Sequence, residues 1–329
     1  MKQINKNLIK ITDLLSDVSD DRYHNSISIS KRLNISHSTV YKNMNKLKNY
    51  QIPLSLKKNK GYRLNSPLIL LNHEKIKNKL DDESINLHIL EKIDSTNDYL
   101  KKFTDKNNKI HVCIAETQTQ GKGRLCREWH SPFGQNIYFS MLYPFKIDIS
   151  ELSGLSLVIS LAICHTIESV IDLKNNNLQV KWPNDIILNH AKIAGILIEA
   201  QAETNGTSQI IIGIGININM QNVSANEITQ MWTSLYHATH TYHDRNILCA
   251  ALINQLTKYI NIFLKKKLPA FSKEWKKRDA LLNKKITLKT GSKTEEGTYL
   301  GINENGYLIL ELENKVIKTF SSGDTTLLK

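Results

Sequence analysis

Charge is spread very unevenly along this chain, and that sets its first fifth apart from the rest. Residues 1–66 hold ten lysines and three arginines against four aspartates and no glutamate, a net +9. The whole chain of 329 residues carries +13, so the remainder is close to neutral for its size. A short segment this basic keeps its cations in solvent and asks for a polyanionic partner. The same segment is patterned for helices. Ile4, Leu8, Ile11, Leu14 and Leu15 recur at helical spacing, and a second short helix fits 28–33. Ser36 is a natural N-cap for a third helix over 37–49, where Val40, Met44 and Leu47 form an apolar stripe. Asn34 stands where the turn between the two helices needs a residue that tolerates the left-handed conformation. Leu54-Ser55-Leu56 and Tyr62-Arg63-Leu64 then flank Lys57-Lys58-Asn59-Lys60-Gly61, a hairpin with a basic tip.

Three helices, a tight turn and a basic hairpin make a winged helix-turn-helix. Its DNA-facing residues are expected to be Ser36, His37, Ser38, Thr39, Tyr41, Lys42, Asn43 and Lys46, with Lys58 and Lys60 on the wing. Hydroxyl and amide groups can read base edges, and lysines neutralise phosphates. The plainer alternative is a small helical domain with a solvated, lysine-rich surface.

The rest of the chain is bounded by what it lacks. No run of 18 apolar residues occurs; the most apolar stretch, 155–163, is interrupted by Ser156 and Ser160. The N-terminus alternates Lys and Asn with Ile and lacks the apolar segment of a signal peptide. Cys113, Cys126, Cys164 and Cys249 are far apart, which argues against a disulfide scaffold or a cysteine-based zinc site. A cytoplasmic protein with no membrane partner is expected. An apolar share of 40% is enough for real cores, and the length fits two or three domains of roughly 150 residues.

Residues 67–86 read as a linker with one short helix over 74–80. Residues 87–282 alternate strand-like runs (111–115, 137–142, 179–182, 193–200, 209–218) with helical ones (97–103, 152–171, 244–264), an α+β layout on a mixed sheet. Residues 283–329 are strand-like over 285–289, 296–302, 307–312 and 316–320, with turns at Gly291 and Asn305-Gly306, and suggest a small β-barrel.

Chemistry concentrates in four stretches of the central domain. Gln118-Thr119-Gln120-Gly121-Lys122-Gly123-Arg124-Leu125-Cys126-Arg127-Glu128-Trp129 follows an apolar strand. Its glycines let the backbone approach a ligand, and its three cations suit a phosphate. It lacks the spacing of a Walker A loop, and a flexible basic surface loop is the bland alternative. Val180-Lys181-Trp182-Pro183-Asn184-Asp185, followed by Lys192-Ile193-Ala194-Gly195, is either a hairpin corner or a nucleotide site with an aspartate suited to Mg2+. Gly213-Ile214-Gly215-Ile216-Asn217 invites a dinucleotide-fold reading, but Ile218 stands where the third glycine should be, so that reading is rejected. Ser95-Thr96-Asn97-Asp98 has the form of a helix cap, which can also present hydroxyls to a polar ring. His237, His240 and His243 are spaced by three but have no carboxylate at helical spacing, and read as a solvated loop or helix edge.

In order and spacing these stretches, with Ser131-Pro132-Phe133-Gly134-Gln135-Asn136 between them, resemble the biotin–protein ligases. With the helix-turn-helix in front, the chain is similar over essentially its whole length to the bifunctional ligases that also repress the biotin operon. The resemblance implies a C-terminal SH3-like barrel and a reaction that joins biotin to AMP from MgATP and then to a lysine of the biotin carboxyl carrier protein, a subunit of acetyl-CoA carboxylase. It implies that Arg124, Lys192 and Arg127 are catalytic. Ser95, Thr96, Asn97, Gln118, Gly121, Lys122, Gly123, Arg124, Lys192 and Gly195 match biotin-binding positions. Arg127, Trp129, Asn184, Asp185, Asn217 and Trp232 match ATP or adenylate positions, with Asp185 as the Mg2+ residue. Operator DNA and a homodimer formed on the adenylate follow from the same resemblance. One departure stands out: the family loop usually reads Gly-Arg-Gly-Arg, and Lys122 keeps the charge of the first arginine without its planar fork. Two other classes stay open, a transcription factor that only senses a small molecule and a lipoate ligase.

Overall fold

The computed structural model describes residues 3–16, 23–103, 109–174, 176–204, 207–223 and 228–328. Position 329, the expected end of the barrel, lies outside them.

The head has helices α1 (Lys6–Leu15), α2 (Ser26–Leu33) and α3 (His37–Asn49), followed by the hairpin strands β1 (Leu54–Lys57) and β2 (Gly61–Leu64). Each helix opens on a side-chain cap: Asn5, Asn25 and Ser36 accept from Asn7, Ser28 and Thr39 backbone N–H groups. Asn34 ends α2 in the left-handed conformation. Gly61 has φ +105°, and a Cβ there would fall 2.2 Å from the carbonyl of His24, whose backbone makes an isolated antiparallel bridge to Tyr62 of the wing. Leu8, Ile11, Val40, Met44 and Leu47 form the small core.

Residues 67–86, expected as a linker, are packed rather than loose. Leu68 and Leu70 join the head core, while Leu71, Ile76, Leu80 and Ile85 join the core of the next domain. The segment contains a short helix α4 (His73–Lys77). Beneath it lies a fully buried ion pair: Arg245 Nη2 donates to Glu116 Oε2 at 2.6 Å, with both side chains at 0% exposure. Arg245 also donates to the carbonyls of Ile69 and Asn136, and Glu116 accepts from Leu71 N–H.

The central domain is built on seven strands: β3 (Asn86–Leu90), β4 (His111–Ala115), β5 (Ile137–Phe145), β6 (Leu178–Lys181), β7 (Asp185–Leu188), β8 (Ala191–Thr204) and β9 (Thr207–Ile216). Their order is β3-β4-β5-β9-β8-β7-β6; the β3–β4 pair is parallel and the others are antiparallel. Period-two alternation splits the sheet into two faces. Val112, Ile114, Phe139, Met141, Ile212 and Ile214 point into one core with helices α6 (Leu155–Val170) and α8 (Arg245–Lys266). Both helices are apolar because they bury against the sheet and each other. The helix expected over 152–171 is broken at Gly154, φ +80°, where α6 begins. The opposite face carries helix α5 (Thr96–Leu100), Ser140, Gly213 and Gly215. Helix α7 (Leu235–Thr239) holds His237, whereas His240 ends it in the left-handed conformation and His243 bonds Thr239. Helix α9 (Ser272–Arg278) leads to the tail.

The tail forms β10 (Lys285–Thr290), β11 (Lys293–Ile302), β12 (Leu308–Leu312), β13 (Ile317–Phe320) and β14 (Asp324–Leu327), in the order β13-β12-β11-β10-β14, all antiparallel. The edge strands β13 and β14 are consecutive, joined only by residues 321–323. A flat sheet would separate such edges by about 19 Å, more than the roughly 15 Å those residues can span, so the sheet is rolled toward a barrel. It is stitched to the central domain by Trp182 Nε1 donating to Gly306 O (3.0 Å), Thr325 Oγ1 to Trp182 O (3.0 Å) and Tyr299 Oη to Asp279 (2.8 Å).

Candidate active site

The face of the sheet opposite α6 and α8 ends in a cavity of about 640 Å³. Its floor follows from the Gly-x-Gly of β9. Gly213 and Gly215 fall on one face by strand alternation, and Gly195 of β8 pairs directly with Gly215. A Cβ at Gly215 would lie 2.2 Å from the Trp129 ring, and one at Gly213 would lie 2.4 Å from the Asn97 amide. The glycines thus let Asn97 and Trp129 lie flat on the sheet. The motif sits within a strand and not at a strand-to-helix turn, in keeping with the rejection of a dinucleotide fold.

One end of the cavity is rich in hydroxyl and amide groups. Ser95 caps α5, its Oγ accepting from Asp98 N–H at 3.4 Å. Gln118 Oε1 accepts from both the backbone N–H (2.9 Å) and Oγ1 (3.0 Å) of Thr96, while its Nε2 donates to Ser131 Oγ. Ser140 Oγ lies 2.7 Å from Thr96 Oγ1 and 2.5 Å from Asn97 Oδ1. Asn97 in turn donates to Glu199 (2.7 Å).

The other end is cationic. Arg124 donates to Asn184 Oδ1 (3.0 Å) and Gly323 O (3.3 Å), and Arg127 pairs with Asp324. Lys192 Nζ lies 2.7 Å from Asp185 Oδ1 and 5.5 Å from the centre of the Trp129 ring. Burial holds the Lys181 ammonium below the usual lysine range, although the nearby Asp185 opposes this. Asn217 donates to Thr233 O (3.0 Å), and the backbone of 231–233 pairs with Lys192, which brings Trp232 to the rim.

Between the two ends runs a flap. Gly123 N–H donates to Arg127 O (2.7 Å) and Trp129 N–H to Gly121 O (2.8 Å), so 121–129 folds back on itself as a narrow hairpin. Leu125 and Cys126 form its tip at φ +55° and +59°. Its near leg is tied to α5 through Lys122 Nζ and Asp98 Oδ2 (2.6 Å).

Of the expected biotin and nucleotide residues, Ser95, Thr96, Asn97, Gln118, Lys122, Gly123, Arg124, Arg127, Trp129, Asn184, Asp185, Lys192, Gly195, Asn217 and Trp232 all line this one cavity. Gly121 lies just behind it, where a Cβ would fall 2.6 Å from Trp129 O. The sequence reading missed Asp324, Thr325 and Thr326 of the rolled tail sheet, which close the cationic end. It read Asp98 only as part of a helix cap, and it missed Ser140 of β5, which carries no motif.

On the head, Ser36, His37, Ser38, Tyr41, Lys42, Lys58 and Lys60 are exposed, and Thr39 is half-buried. Two of the expected DNA residues lie away from the exposed face. Asn43 is buried and donates to Thr39 O (2.8 Å), because it faces the head core beside Met44. Lys46 turns toward the central domain, where its ammonium meets Glu91 Oε2 at 2.5 Å. Tyr50 donates to the same carboxylate at 2.7 Å and stacks on Phe133, ring centres 3.9 Å apart. Lys46 and Tyr50 thus make an interdomain contact at the end of α3, while His37, Ser38, Tyr41 and Lys42 remain exposed.

Residues 89–217 match the Biotin/lipoate A/B protein ligase family, residues 281–326 the Biotin protein ligase C terminal domain, and residues 19–63 an HTH domain. The chain is 35% identical over 314 residues to the bifunctional ligase/repressor BirA of Salmonella typhimurium, covering 95% of this chain and 96% of that protein. It is 34% identical to the Escherichia coli protein of the same name, over the same shares of each chain. The fold is similar to that of a biotin protein ligase from Aquifex aeolicus in complex with biotin and ATP, with TM-score 0.62 and 28% identity over 74% of this chain and 99% of that one. A hydroxyl-and-amide pocket joined to a cationic one, a rolled C-terminal sheet closing the second and a helix-turn-helix in front thus agree with these likenesses, and the chain belongs to the bifunctional ligase/repressor branch of the biotin–protein ligase family.

Proposed function

We propose that this protein activates biotin with MgATP, retains the biotinyl-adenylate and passes biotin to a lysine of a carrier protein, and that the loaded protein represses transcription through its head. One observation carries the ligase reading: a single cavity has a neutral polar end and a cationic end, and the 121–129 flap lines both. A ureido ring has two N–H donors and a carbonyl acceptor, which Ser95, Thr96, Asn97 and Gln118 complement. The biotin carboxylate then points toward Lys192 and Arg124. It attacks the α-phosphorus of ATP and pyrophosphate leaves, building charge on phosphate oxygens beside Arg124, Arg127 and Lys192. Lys192 and Arg127 already face Asp185 and Asp324, so an incoming phosphate exchanges one anion for another and finds preoriented cations. In the second step the carrier's lysine amine attacks the acyl carbon, and AMP leaves. Trp129, Trp232 and the flap exclude water from the acyl phosphate.

Mg2+ fits as a companion of the nucleotide. Among the described residues no group of three or more histidine, cysteine or acidic side chains makes a cage. Asp185, beside Lys192 on the cationic wall, would be the carboxylate that holds such an ion, which would offset the charge of the phosphates.

The functional units are 1–66 for DNA, 67–86 as connector, 87–282 for ligation and 283–329 as the closing barrel. The adenylate-loaded chain forms a homodimer that sets two α3 helices on a two-fold operator. The carrier is the biotin carboxyl carrier protein, and the reaction is cytoplasmic, in keeping with four unpaired cysteines. Transfer of labelled biotin to a carrier domain, lost in Arg124→Ala, tests the ligase; bound biotin without transfer would favour a pure sensor. Lipoate as the better competitor would favour the lipoate reading. Gel shift on the biotin operator tests the repressor, and no gain in affinity with biotin and ATP would defeat the switch.

A further inference from the structure

We propose that Asp98 is a positioning residue that latches the 121–129 flap to helix α5 through Lys122, and thereby sets how long the activated intermediate is held. The proposal rests on the ligase reading above. The flap has two fastenings on different elements. Its far leg reaches Asp324 of the tail sheet through Arg127, and its near leg reaches Asp98 through Lys122 at 2.6 Å. Asp98 is itself fixed. Its Oδ1 takes Lys101 Nζ at 2.9 Å, Lys101 also meets Glu199 Oε1 at 2.7 Å, and Glu199 Oε2 accepts from Asn97 on the cavity floor. Charges alternate along this chain of contacts, so Lys122 is tied to the wall of the polar pocket and not to a loose side chain. The two lysines outweigh burial and hold the Asp98 carboxyl below the usual range.

The geometry also gives a reason for lysine at position 122. Lys101 occupies one oxygen of Asp98 and leaves the other to Lys122. An ammonium needs only one oxygen, whereas an arginine fork is built to take both and would compete with Lys101. Lysine here is thus matched to a shared carboxylate. Because Trp129 and Arg124 belong to the same flap, letting the intermediate out requires the Lys122–Asp98 contact to open, and that contact enters the release rate.

Full-length protein loaded with labelled biotin and ATP, then chased with unlabelled biotin, reads that rate directly. For a partly exposed ion pair, Asp98→Asn is expected to release the intermediate about two- to fivefold faster and to raise KM for biotin by a similar factor. The kcat of transfer to saturating carrier should stay within about twofold, because Asp98 does not touch the reacting atoms. Asp98→Glu, which keeps the charge, should restore slow release. Adding Lys122→Met to Asp98→Asn should accelerate release no further. Wild-type release from Asp98→Asn, multiplied effects in the double variant, or an equal fall in kcat and kcat/KM would each overturn the latch. Absence of any labelled intermediate on the wild-type protein would overturn the ligase reading itself, and the latch with it.

Discussion

Replacing Glu116 by glutamine tests whether the buried ion pair under the connector anchors that segment to the central domain. The change conserves shape but turns an acceptor toward Arg245 into an amide donor. Arg245 would then retain only the Ile69 and Asn136 carbonyls, with its charge buried at 0% exposure. Breaking one partner of such a pair costs about 3–5 kcal/mol. At roughly 2.1 cal/mol/K per residue, 329 residues unfolding together lose about 1.4 °C of Tm per kcal/mol, so the expected fall is about 4–7 °C. Calorimetry of the free protein measures it. Arg245→Met should cost a similar amount, and the double variant should fall short of the sum by at least about 2 kcal/mol, because neither group is then an orphaned charge. A single-variant loss under about 1 kcal/mol, or strict additivity, would refute this account of the pair.

Other outcomes follow from the same geometry. Gly215→Ala should push Trp129 off the sheet and weaken biotin and ATP binding by roughly one to two orders of magnitude, since its Cβ would fall 2.2 Å from the ring; calorimetric titration giving wild-type affinities would contradict the floor. Burial, with the neighbouring His111, holds His88 below the ordinary histidine range. The unfolded chain therefore takes up that proton more readily, and stability should fall as pH drops through about 6.5, a fall that His88→Phe flattens; an unchanged Tm slope between pH 7.5 and 5.5 would count against it. Native protein should react with a thiol reagent at Cys126 alone, and at all four cysteines once unfolded. Burial pushes Cys164 and Cys249 up to about 12 and Cys113 higher still. Rapid labelling of more than one thiol in the native state would refute that burial.

What could be read before the fold was known depended on how local each signal was. Asn34, Ser36 and the apolar stripe of α3 act within a few residues, and they stand where the pattern put them. The glycines of β9 were legible as unusual but not as a floor, because their partner Trp129 lies more than eighty residues earlier. Asp324 carries no motif, and its meeting with Arg127 spans 197 positions. Asn43 and Lys46 depart from the expected face for a different reason. A helix wheel separates an apolar stripe from a polar face, but α3 has three surroundings: head core, central domain and solvent. Polarity alone does not say which polar residue faces which.

The contact that claims Lys46 and Tyr50 also means that the head is not an ornament that can be lifted away. A chain beginning at the connector would be left with Glu91 stripped of both its donors, and with the ring of Phe133 bare beside Leu68 and Leu70. Such a shortened ligase would carry a sticky, acid-marked scar some two residues from Ser131, which steadies Gln118 in the polar pocket. A ligase without the head would need that face resurfaced to stay soluble and hold biotin well, because head and central domain complete one another's surface there.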